Sequence, residues 1–428
     1  MGNSFLDELE WRGMLHQSTP DVGEHLSESP RIGYIGFDPT SDSMHIGNLV
    51  QIMILIHFQR YGHKPIALIG GATGMIGDPS GKSSERKLLD QKKLEKNSLA
   101  LKKQLLKFLD FSEKHLNSAE MINNFDWMKE FSLIDFSREV GKHITVNYMM
   151  SKESVKKRIS DESSEGMSFT EFTYQLIQGY DFLELFRNKK CTIQIGGSDQ
   201  WGNITAGIDL IHRKHNKKSY GLTLPLITNA DGTKFGKTES GAVWLDVART
   251  SIYQFYQFWV RVDDRDVIRY LKYFTFLPQD GIEQLAKQHE AEPQARIAHK
   301  ALAQEVTKLV HGETATAEAI RASEILFGGG LDGITEATFR EIACEVPTCE
   351  FATDRFSGEG IWVPEILHEA GLAQSRGQAR KDVKSGGVYV NSKRVDNEQQ
   401  KLNSEDLIFN KYVLLRRGKK NYALVIVL

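Results

Sequence analysis

The first residues that could do chemistry stand where one apolar run ends and another begins. The stretch at residues 34–48 reads YIGFDPTSDSMHIGN, an apolar strand followed by a turn and an apolar helix. A strand, a tight turn and a helix N-terminus leave backbone N–H groups that can face an anion. His45 and Asn48 lie three apart, so one helical turn puts both on one face. Gly47 would let a base or ribose approach the backbone. The alternative is a histidine that caps an ordinary βα turn.

Two later loops carry cations where phosphate oxygens could be held. The first, GGATGMIGDPSGKSSE, supplies Lys82 and Arg86. It is not a P-loop, because that motif needs a glycine where Ile76 stands. The second holds Lys234 and Lys237 around a glycine, and lysine acts on phosphates as a flexible point charge. The respective alternatives are a solvated basic turn and a plain charged hairpin loop.

A polar stripe crosses a segment that is otherwise apolar. In FTEFTYQLIQGYDF, Tyr174, Gln178 and Asp181 stand at i, i+4 and i+7, which is one face of a helix. A solvated face is the alternative for the glutamine and the aspartate, although Phe182 and Leu183 follow at once. The stripe predicts a pocket lining.

These groups need a scaffold that brings strand ends together. The pattern indicates buried strands at 32–35, 65–69 and 192–195, each followed by glycines and polar side chains, and a further run at 222–227. In a doubly wound sheet the carboxyl ends of parallel strands meet at one crevice, where ligands bind. The predicted fold class is α/β, with a Rossmann-like doubly wound parallel sheet. Helices are predicted at 5–17, 46–60 and 90–111.

Composition narrows the class of protein. The chain has 428 residues, a formal net charge of −2, 40% hydrophobic and 26% charged residues, which predicts a soluble protein of two or three domains. Cys191, Cys344 and Cys349 make neither an even framework nor a metal-ligand pair, which indicates reduced thiols in the cytoplasm. The acidic N-terminus lacks the apolar core of a secretory signal. No apolar run is long enough to span a bilayer, so no membrane partner is expected.

Together the motifs resemble one family. HIGN is similar to the His-Ile-Gly-His signature of class I aminoacyl-tRNA synthetases, and KFGKT to their Lys-Met-Ser-Lys-Ser loop. YIGFDPTSDSMHIGN, GGATGMIGDPSGK, SFTEFTYQLIQGYDF, GGSDQWGNITAG and DGTKFGKTESG resemble bacterial tyrosyl-tRNA synthetases. This sequence departs from the two family signatures at Asn48, Phe235-Gly236 and Thr238. Asparagine can still donate a hydrogen bond. The resemblance implies that tyrosine and ATP give tyrosyl-adenylate and pyrophosphate. The tyrosyl group then passes to the terminal ribose of tRNA(Tyr), without a covalent enzyme intermediate.

The resemblance also implies roles for individual residues. Those expected to contact ATP and its developing charge are Gly36, Asp38, Thr40, His45, Gly47, Asn48, Gly197 and Asp199. Those expected to grip the β- and γ-phosphates are Lys82, Arg86, Lys234, Lys237 and Thr238. Those expected at L-tyrosine are Tyr34 and Asp181 at the phenol, Asp78, Tyr174 and Gln178 at the ammonium group, and Gln200 near the carboxylate. Mg²⁺ would accompany ATP, and no dedicated carboxylate cage or other metal site is visible in the sequence.

The remaining chain divides into further domains. We expect a catalytic domain with a dimer-interface insertion at 1–228, the lysine loop and an α-helical domain at 229–326, and a linker region at 327–360. Residues 361–428 resemble an S4-type RNA-binding domain of α+β class. The resemblance implies a homodimer. The apolar residues 125–136 are either core or the subunit interface.

The C-terminal domain is basic although the whole chain is slightly acidic. Residues 376–420 contain twelve lysines and arginines against five acidic residues, a balance that suits contact with a phosphate backbone. A solubilising surface is the alternative. The residues expected to contact tRNA are Arg376, Arg380, Lys381, Arg416, Arg417, Lys419 and Lys420.

Two rival functions remain open. A tryptophan-specific relative would share most motifs, but Tyr34 and Asp181 argue against it because indole has no phenol hydroxyl. An RNA-binding protein that kept the fold and lost catalysis would not need His45, Lys234 and Lys237.

Overall fold

The computed structural model describes residues 4–80, 88–160, 166–238, 241–343, 345–418 and 421–428. The chain forms two compact units. The first takes in the chain up to Asp246 together with Asp263–Pro293, and the second takes in Val247–Val262 and Gln294–Leu428. No helix among the described residues is long and apolar enough to cross a membrane. The predicted site residues that lie outside the described residues are Lys82, Arg86, Lys419 and Lys420, and Cys344 lies outside them as well.

A six-stranded sheet forms the centre of the first unit. Its strands are β1 (Gln17–Ser18), β2 (Ile32–Phe37), β3 (Lys64–Ile69), β4 (Glu120–Asn123), β5 (Ile193–Gly197) and β6 (Tyr220–Leu224). Their order is β1-β6-β5-β2-β3-β4, and every neighbouring pair is parallel except β1 with β6. From the adjacent strands β2 and β5 the chain builds the sheet outward in opposite directions. This is the switch point of a doubly wound sheet, so the predicted fold class is confirmed.

Helices and short turns surround this sheet. The helices up to β6 are α1 (Phe5–Arg12), α2 (Val22–Glu28), α3 (Ile46–Arg60), α4 (Thr73–Ile76), α5 (Gln91–Leu105), α6 (Phe125–Met128), α7 (Leu133–Glu139), α8 (Val146–Met150), α9 (Glu153–Ser160), α10 (Phe169–Lys189) and α11 (Trp201–His215). Short 3-10 turns lie at Gly141–His143 and Ser198–Gln200. The hairpin β7 (Lys237–Thr238) and β8 (Gly241–Ala242) follows.

Helix bounds differ from the sequence prediction where local chemistry stops a helix. The apolar helix α3 is confirmed at Ile46–Arg60 and is buried along most of its length, as expected of a helix that is apolar on every side. Helix α1 ends at Arg12, short of the predicted 17, because Gly13 adopts φ +72° and donates its N–H back to the last turn. Helix α5 ends at Leu105 rather than 111. The two-residue β1 is too short to give an alternating pattern.

The rest of the chain adds helices to both units and a small sheet to the second unit. The remaining helices are α12 (Ile252–Val260), α13 (Val267–Phe274), α14 (Gln279–Ala291), α15 (Ile297–His311), α16 (Glu313–Leu326), α17 (Glu336–Ala343), α18 (Val363–Glu369) and α19 (Arg376–Lys384). The remaining strands are β9 (Thr348–Phe351), β10 (Ile361–Trp362), β11 (Val388–Val390), β12 (Lys393–Arg394), β13 (Lys401–Leu402), β14 (Tyr412–Arg417) and β15 (Asn421–Val427). Short 3-10 turns lie at Pro293–Ala295, Thr353–Phe356 and Ser404–Asp406.

The helical segment predicted at 229–326 is divided between the two units. Helices α13 and α14 belong to the first unit, where α13 packs on α1 and α3. Helix α12 belongs to the second unit and packs on α15 and α16. The apolar runs of these helices gave no sign of which partner each would cover.

The segment predicted as a linker, 327–360, contains folded elements. It holds α17, which packs on α16, and β9, which pairs in parallel with β15 at the edge of the five-stranded sheet β12-β11-β14-β15-β9. Phe339 and Ile342 of α17 are fully buried against this sheet. Glycines and acidic residues therefore separate short elements here rather than marking a free linker.

Candidate functional site

A cavity of about 380 Å³ opens at the carboxyl ends of β2 and β5. This is the crevice where a doubly wound sheet binds its ligands. The predicted residues that line it are Tyr34, Gly36, Asp38, Thr40, His45, Asn48, Asp78, Tyr174, Gln178, Asp181, Asp199 and Gln200. The structure therefore brings together side chains from the first strand–turn–helix motif, the polar stripe of α10 and the GGSDQ turn.

Asp181 lies at the buried end of the cavity, where two side chains fix its carboxylate. The Nδ2 of Asn124 donates to Oδ2 at 3.0 Å, and the indole Nε1 of Trp127 donates to Oδ1 at 2.9 Å. Burial raises the pKa of Asp181 to about 7, although both hydrogen bonds act to lower it. The two donors orient one acceptor inside an apolar region, at a net cost to the charged form.

Tyr34 lies on β2 at the same end of the cavity. Its side chain is 1% exposed, and its hydroxyl has no hydrogen-bond partner among the described residues. Burial, followed by the negative charge of Asp181, raises the pKa of this phenol well above its usual value, so it is a neutral donor and acceptor at pH 7. A buried hydroxyl without a partner costs free energy in the empty site. A ligand with a polar group at this depth would relieve that cost.

A chain of hydrogen bonds joins this end to the middle of the cavity. Asn124 Nδ2 also donates to the hydroxyl of Thr73 at 3.1 Å, and that hydroxyl donates to Asp38 Oδ1 at 2.6 Å. The hydroxyl of Tyr174 donates to Asp38 Oδ2 at 3.0 Å. Gly70 is required beside this network, because a Cβ there would lie 2.0 Å from Asp38 Oδ1. Both oxygens of Asp38 are thus held in place by protein donors.

A second carboxylate is fixed on the other side of the cavity. Asp78 accepts the backbone N–H of Ser80 at 2.9 Å and the Nε2 of Gln200 at 2.6 Å. Asn203 Nδ2 donates to Gln200 Oε1 at 3.1 Å and so orients that amide. The Oε1 of Gln178 has no partner among the described residues. Carboxylates and a free amide oxygen facing one space suit a cationic group.

His45 and Asn48 form a reciprocal cap at the start of α3. Nδ1 of His45 accepts the N–H of Gly47 at 3.0 Å, and Oδ1 of Asn48 accepts the N–H of His45 at 3.1 Å. The capping alternative is therefore a structural fact, and it coexists with exposure of both residues to the cavity. A Cβ at Gly47 would lie 2.8 Å from the imidazole ring. The close contact within the cap therefore explains why residue 47 is a glycine.

The lysine loop lies beside the same helix end. Phe235 anchors it: its ring stacks on Phe274 and packs at a tilt against Tyr270, with ring centroids 5.3 and 4.9 Å apart. Lys234 is exposed and does not line the cavity. The backbone of Lys237 and Thr238 forms β7, and their side chains are outside what the structure describes.

Two of the predicted glycines do not form the cavity wall. Gly47 and Gly197 are absent from it, whereas Gly36 lines it. A Cβ at Gly36 would meet no atom within 4 Å, and one at Gly197 would lie 2.5 Å from Asp199 Oδ1. Gly36 therefore keeps space open, while Gly197 accommodates a neighbouring side chain.

Several lining residues were not identified from the sequence as site residues. Asn124, Thr73, Gln194 and Trp244 line the cavity, and Trp127 orients Asp181. Asn124 directly follows β4 and was detectable as a polar residue at a strand end. Gln194 was detectable as the amide in an otherwise apolar buried strand. Trp127 was placed only in the apolar 125–136 cluster, because its single polar atom is not visible in a hydrophobic pattern.

Comparison with known proteins identifies the family. A family model described as tRNA synthetases class I (W and Y) matches residues 27–328, and one described as the tyrosine–tRNA ligase SYY-like C-terminal domain matches residues 338–425. The tyrosine–tRNA ligase of Porphyromonas gingivalis is 52% identical over 429 residues, covering 99% of this chain and 100% of that protein. The chain belongs to the class I tyrosyl-tRNA synthetases.

Solved structures agree with this assignment at the level of the fold. A C-terminally truncated mitochondrial tyrosyl-tRNA synthetase from Aspergillus nidulans matches with a TM-score of 0.67 and 33% identity, over 76% of this chain and 95% of that one. A tryptophanyl-tRNA synthetase from Encephalitozoon cuniculi bound to tryptophan also matches, with a TM-score of 0.52 and 14% identity, over 78% of this chain and 89% of that one. Because both share the fold, a tyrosyl-tRNA synthetase is distinguished by sequence and site.

In this tyrosyl-tRNA synthetase chain, most of the predicted RNA-contacting cations have protein partners. Arg376 pairs with Glu365 at 2.9 Å, and Arg380 with Glu398 at 3.1 Å. Arg417 pairs with Asp382 at 2.8 Å and donates to the Leu372 carbonyl at 2.7 Å, and so joins β14 to α19. Lys381 is exposed, and the described residues show no ion pair to it.

Arg416 lies on a packed face rather than on an open surface. Along β14, Tyr412 and Leu414 face the helical cluster, and strand alternation puts Arg416 on the same face. Its guanidinium lies 3.8 Å from the ring centroid of Tyr389 and 3.5 Å from the hydroxyl of Tyr422. These contacts give Arg416 a structural role, and its contact with RNA stays a prediction.

Proposed function

We propose that this chain activates L-tyrosine with ATP and transfers the tyrosyl group to tRNA(Tyr). Ligation of amino acids to tRNA is the activity of its family. The observation that carries the choice of tyrosine is the buried pair at the closed end of the cavity. Asp181 supplies a fixed acceptor and Tyr34 supplies a hydroxyl without a partner. A phenol hydroxyl would donate to the first and contact the second, whereas phenylalanine would leave both unpaired.

The amino and carboxyl groups of tyrosine would lie toward the middle of the cavity. Asp78, Tyr174 and Gln178 would bind the ammonium group, and Gln200 would lie near the carboxylate. The hydrogen bonds that fix Asp78 and Asp38 support this arrangement, since the groups are oriented before the substrate arrives. Such preorganisation holds the carboxylate ready to attack.

In the first step a carboxylate oxygen of tyrosine attacks the α-phosphorus of ATP. A bond forms between that oxygen and phosphorus, and the bond to the β-phosphate oxygen breaks, which releases pyrophosphate. Thr40, on the turn after β2, and His45 and Asn48, at the start of α3, line the cavity and would stabilise the charge on the pentacoordinate phosphorus. Gly36, Asp38 and Asp199, which line the cavity, would contact the adenosine. For Gly47 and Gly197, which do not line it, this contact is proposed from the motifs alone.

The leaving pyrophosphate would be held by cations. Lys82, Arg86, Lys234, Lys237 and Thr238 are proposed for this role on the basis of their motifs. Magnesium would enter with ATP and neutralise phosphate charge. Asp38 and Asp78 already accept hydrogen bonds on both oxygens, so we propose that phosphate oxygens and water supply most of its ligands.

The second step transfers the tyrosyl group to the terminal ribose hydroxyl of tRNA(Tyr). We propose that the C-terminal domain at 361–428 contacts the RNA backbone. Arg376, Arg380 and Lys381 lie on or at the start of α19, and Arg416, Arg417, Lys419 and Lys420 complete the predicted set. Paired arginines can exchange a carboxylate for a phosphate oxygen, while Lys381 needs no exchange.

We further propose a homodimer that uses α7. The aromatic residues Phe131 and Phe136 of the predicted 125–136 cluster pack on the core of the first unit. Leu133 and Ile134 on α7 are 73% and 70% exposed. Two neighbouring apolar side chains left open to solvent fit a subunit interface. Light scattering should report a dimer for the wild type and a monomer for Ile134→Glu.

ATP–pyrophosphate exchange tests the first step. We expect exchange with tyrosine and none above background with phenylalanine or tryptophan at equal concentration. Aminoacylation of tRNA(Tyr) under the same conditions tests the second step. Exchange driven best by tryptophan would replace the proposed substrate. RNA binding without exchange for any amino acid would leave only an RNA-binding function.

A further inference from the structure

The segment that follows the lysine loop is hydrogen-bonded both to that loop and to the start of α3. Beyond the β7–β8 hairpin, the N–H of Val243 donates to the Gly236 carbonyl at 3.1 Å. The N–H of Ile46 donates to the Val243 carbonyl at 3.0 Å, and the N–H of Leu245 donates to the Met44 carbonyl at 2.9 Å. Residues 243–245, here called the return strand, thus share backbone hydrogen bonds with the lysine loop and with the first turn of α3.

The lysine loop fits closely against that turn. Gly236 adopts φ +79°, and a Cβ on it would lie 2.8 Å from Cγ1 of Ile46. Only glycine combines this backbone conformation with so close an approach. The backbone of Lys237, next in the chain, is therefore set by contacts that begin at the residue following His45.

Trp244 is the residue of the return strand that faces the cavity. Val243 and Leu245 are 6% and 4% exposed and serve as apolar anchors. Trp244 alternates to the opposite side, is half-buried and lines the cavity. Its ring stands edge-on to the His45 imidazole with centroids 6.0 Å apart, and the two residues form an antiparallel backbone bridge.

The imidazole of His45 is consequently held from two sides. Its Nδ1 accepts the N–H of Gly47, so in the neutral ring the proton is on Nε2. The cap fixes the tautomer, and the indole of Trp244 restricts rotation of the ring away from the cap. Placement of a donor within a fraction of an ångström matters where charge develops in a transition state.

We propose that Trp244 is a positioning residue for adenylate formation. It keeps the His45 imidazole in place relative to the lysine loop. The proposal rests on the proposed function, because it assigns to Trp244 an effect on the step in which His45 would act. A tryptophan that merely fills space would contribute to stability and to every ligand equally. A positioning residue would change kcat for adenylate formation and would need the imidazole to do so.

The test is a double-mutant cycle on the full chain, read by tyrosine-dependent ATP–pyrophosphate exchange. Trp244→Ala and His45→Asn are made singly and together, since asparagine preserves an N-cap while it removes the imidazole. We expect Trp244→Ala to lower kcat by about tenfold, as for loss of one aligned contact, with KM for tyrosine unchanged. In the His45→Asn background the same change should alter kcat by less than about twofold.

Two further variants separate positioning from folding. Trp244→Phe keeps an aromatic edge beside His45 and should recover most of the kcat, which also carries the test if Trp244→Ala unfolds. Trp11→Ala, on α1 and outside the cavity lining, should leave kcat unchanged. An equal loss in both His45 backgrounds, or a rise in KM for tyrosine that matches the fall in kcat, would overturn the proposal. Absence of exchange in the wild type would instead overturn the proposed function.

Discussion

The two ends of the cavity are built in different ways. At the tyrosine end, Tyr34 and Asp181 are each 1% exposed, and a hydrogen-bond chain through Asn124, Thr73 and Asp38 orients the polar groups. At the end proposed for the nucleotide, the lining residues Thr40 and Asp199 are exposed, and Lys234, which does not line the cavity, is exposed as well. Buried, mutually oriented groups favour discrimination, because a wrong ligand leaves them unpaired. Exposed cations favour grip and release of a charged product.

Removing Lys237, the lysine proposed to hold the leaving pyrophosphate, should have the largest effect. We expect Lys237→Ala to lower kcat for pyrophosphate exchange by about 10²- to 10³-fold, as when one preorganised donor to developing charge is lost. KM for tyrosine should stay within a factor of two or so, since the amino acid is proposed to bind at the other end. Lys287→Ala, a lysine on α14, is the matched control. A KM for tyrosine that rises in step would show that the two ends are not separable.

Removing the acceptor at the tyrosine end should be the next largest effect. Asp181→Asn keeps the size of the side chain but presents an amide where the phenol needs a carboxylate. We expect kcat/KM for tyrosine to fall by roughly 10²-fold, the order expected when a charged hydrogen-bond partner is lost. The kcat/KM for phenylalanine should change far less, because it makes no such bond. The measurement is exchange with both amino acids, and an equal loss for each would contradict the assigned role.

Tyr34→Phe should lower kcat/KM for tyrosine by less than Asp181→Asn does, and it should not destabilise the protein. The hydroxyl has no partner in the empty cavity, so its removal should leave the free energy of unfolding unchanged or raise it by about 1 kcal/mol. The kcat/KM for tyrosine should fall by roughly tenfold, as for one neutral hydrogen bond. Urea unfolding and exchange kinetics measure the two quantities. A destabilised variant would indicate a structural partner for the hydroxyl.

The sequence predicted the residues that line this end of the cavity better than the residues that orient them. The stripe Tyr174, Gln178 and Asp181 follows from helical spacing, and the strand ends follow from the doubly wound pattern. Asn124 could be noticed as a polar residue at a strand end, but its role, like that of Thr73, could not be predicted, because both residues orient other side chains across the sheet. Such contacts depend on the lateral order of strands, which periodicity along one strand does not report.

The C-terminal region shows the same limit for charge. Composition indicated a basic module, but it could not distinguish a cation on the surface from one packed between strands and helices. Arg416 and Arg417 are adjacent in sequence and lie on opposite faces of β14. Arg416 lies over the ring of Tyr389, whereas Arg417 forms an ion pair with Asp382. Which arginine makes which contact depends on how β14 pairs with its neighbouring strands.

The pH dependence should separate binding from stability at the tyrosine end. Burial raises the pKa of Asp181 to about 7, above the value of about 4 for an unfolded chain. Only the ionised carboxylate accepts from the substrate phenol in full strength, so KM for tyrosine should fall several-fold as the pH rises from 6 to 8. Exchange kinetics at saturating ATP measure this, and Asp181→Asn should show a flatter profile.

As the pH rises, tyrosine binding should improve, whereas the contribution of Asp181 to stability should fall. Because the folded-state pKa of Asp181 is the higher one, the folded protein keeps a proton that the unfolded chain has already released between about pH 4 and 7. The contribution of this residue to the free energy of unfolding therefore falls as the pH rises through that window. Urea unfolding of the wild type minus that of Asp181→Asn isolates the contribution from other titrating groups. A difference that stays constant between pH 5 and 8 would mean that the carboxylate is ionised throughout. The phenol acceptor would then be available without a cost in stability, and the contrast between the two ends would lose its energetic basis.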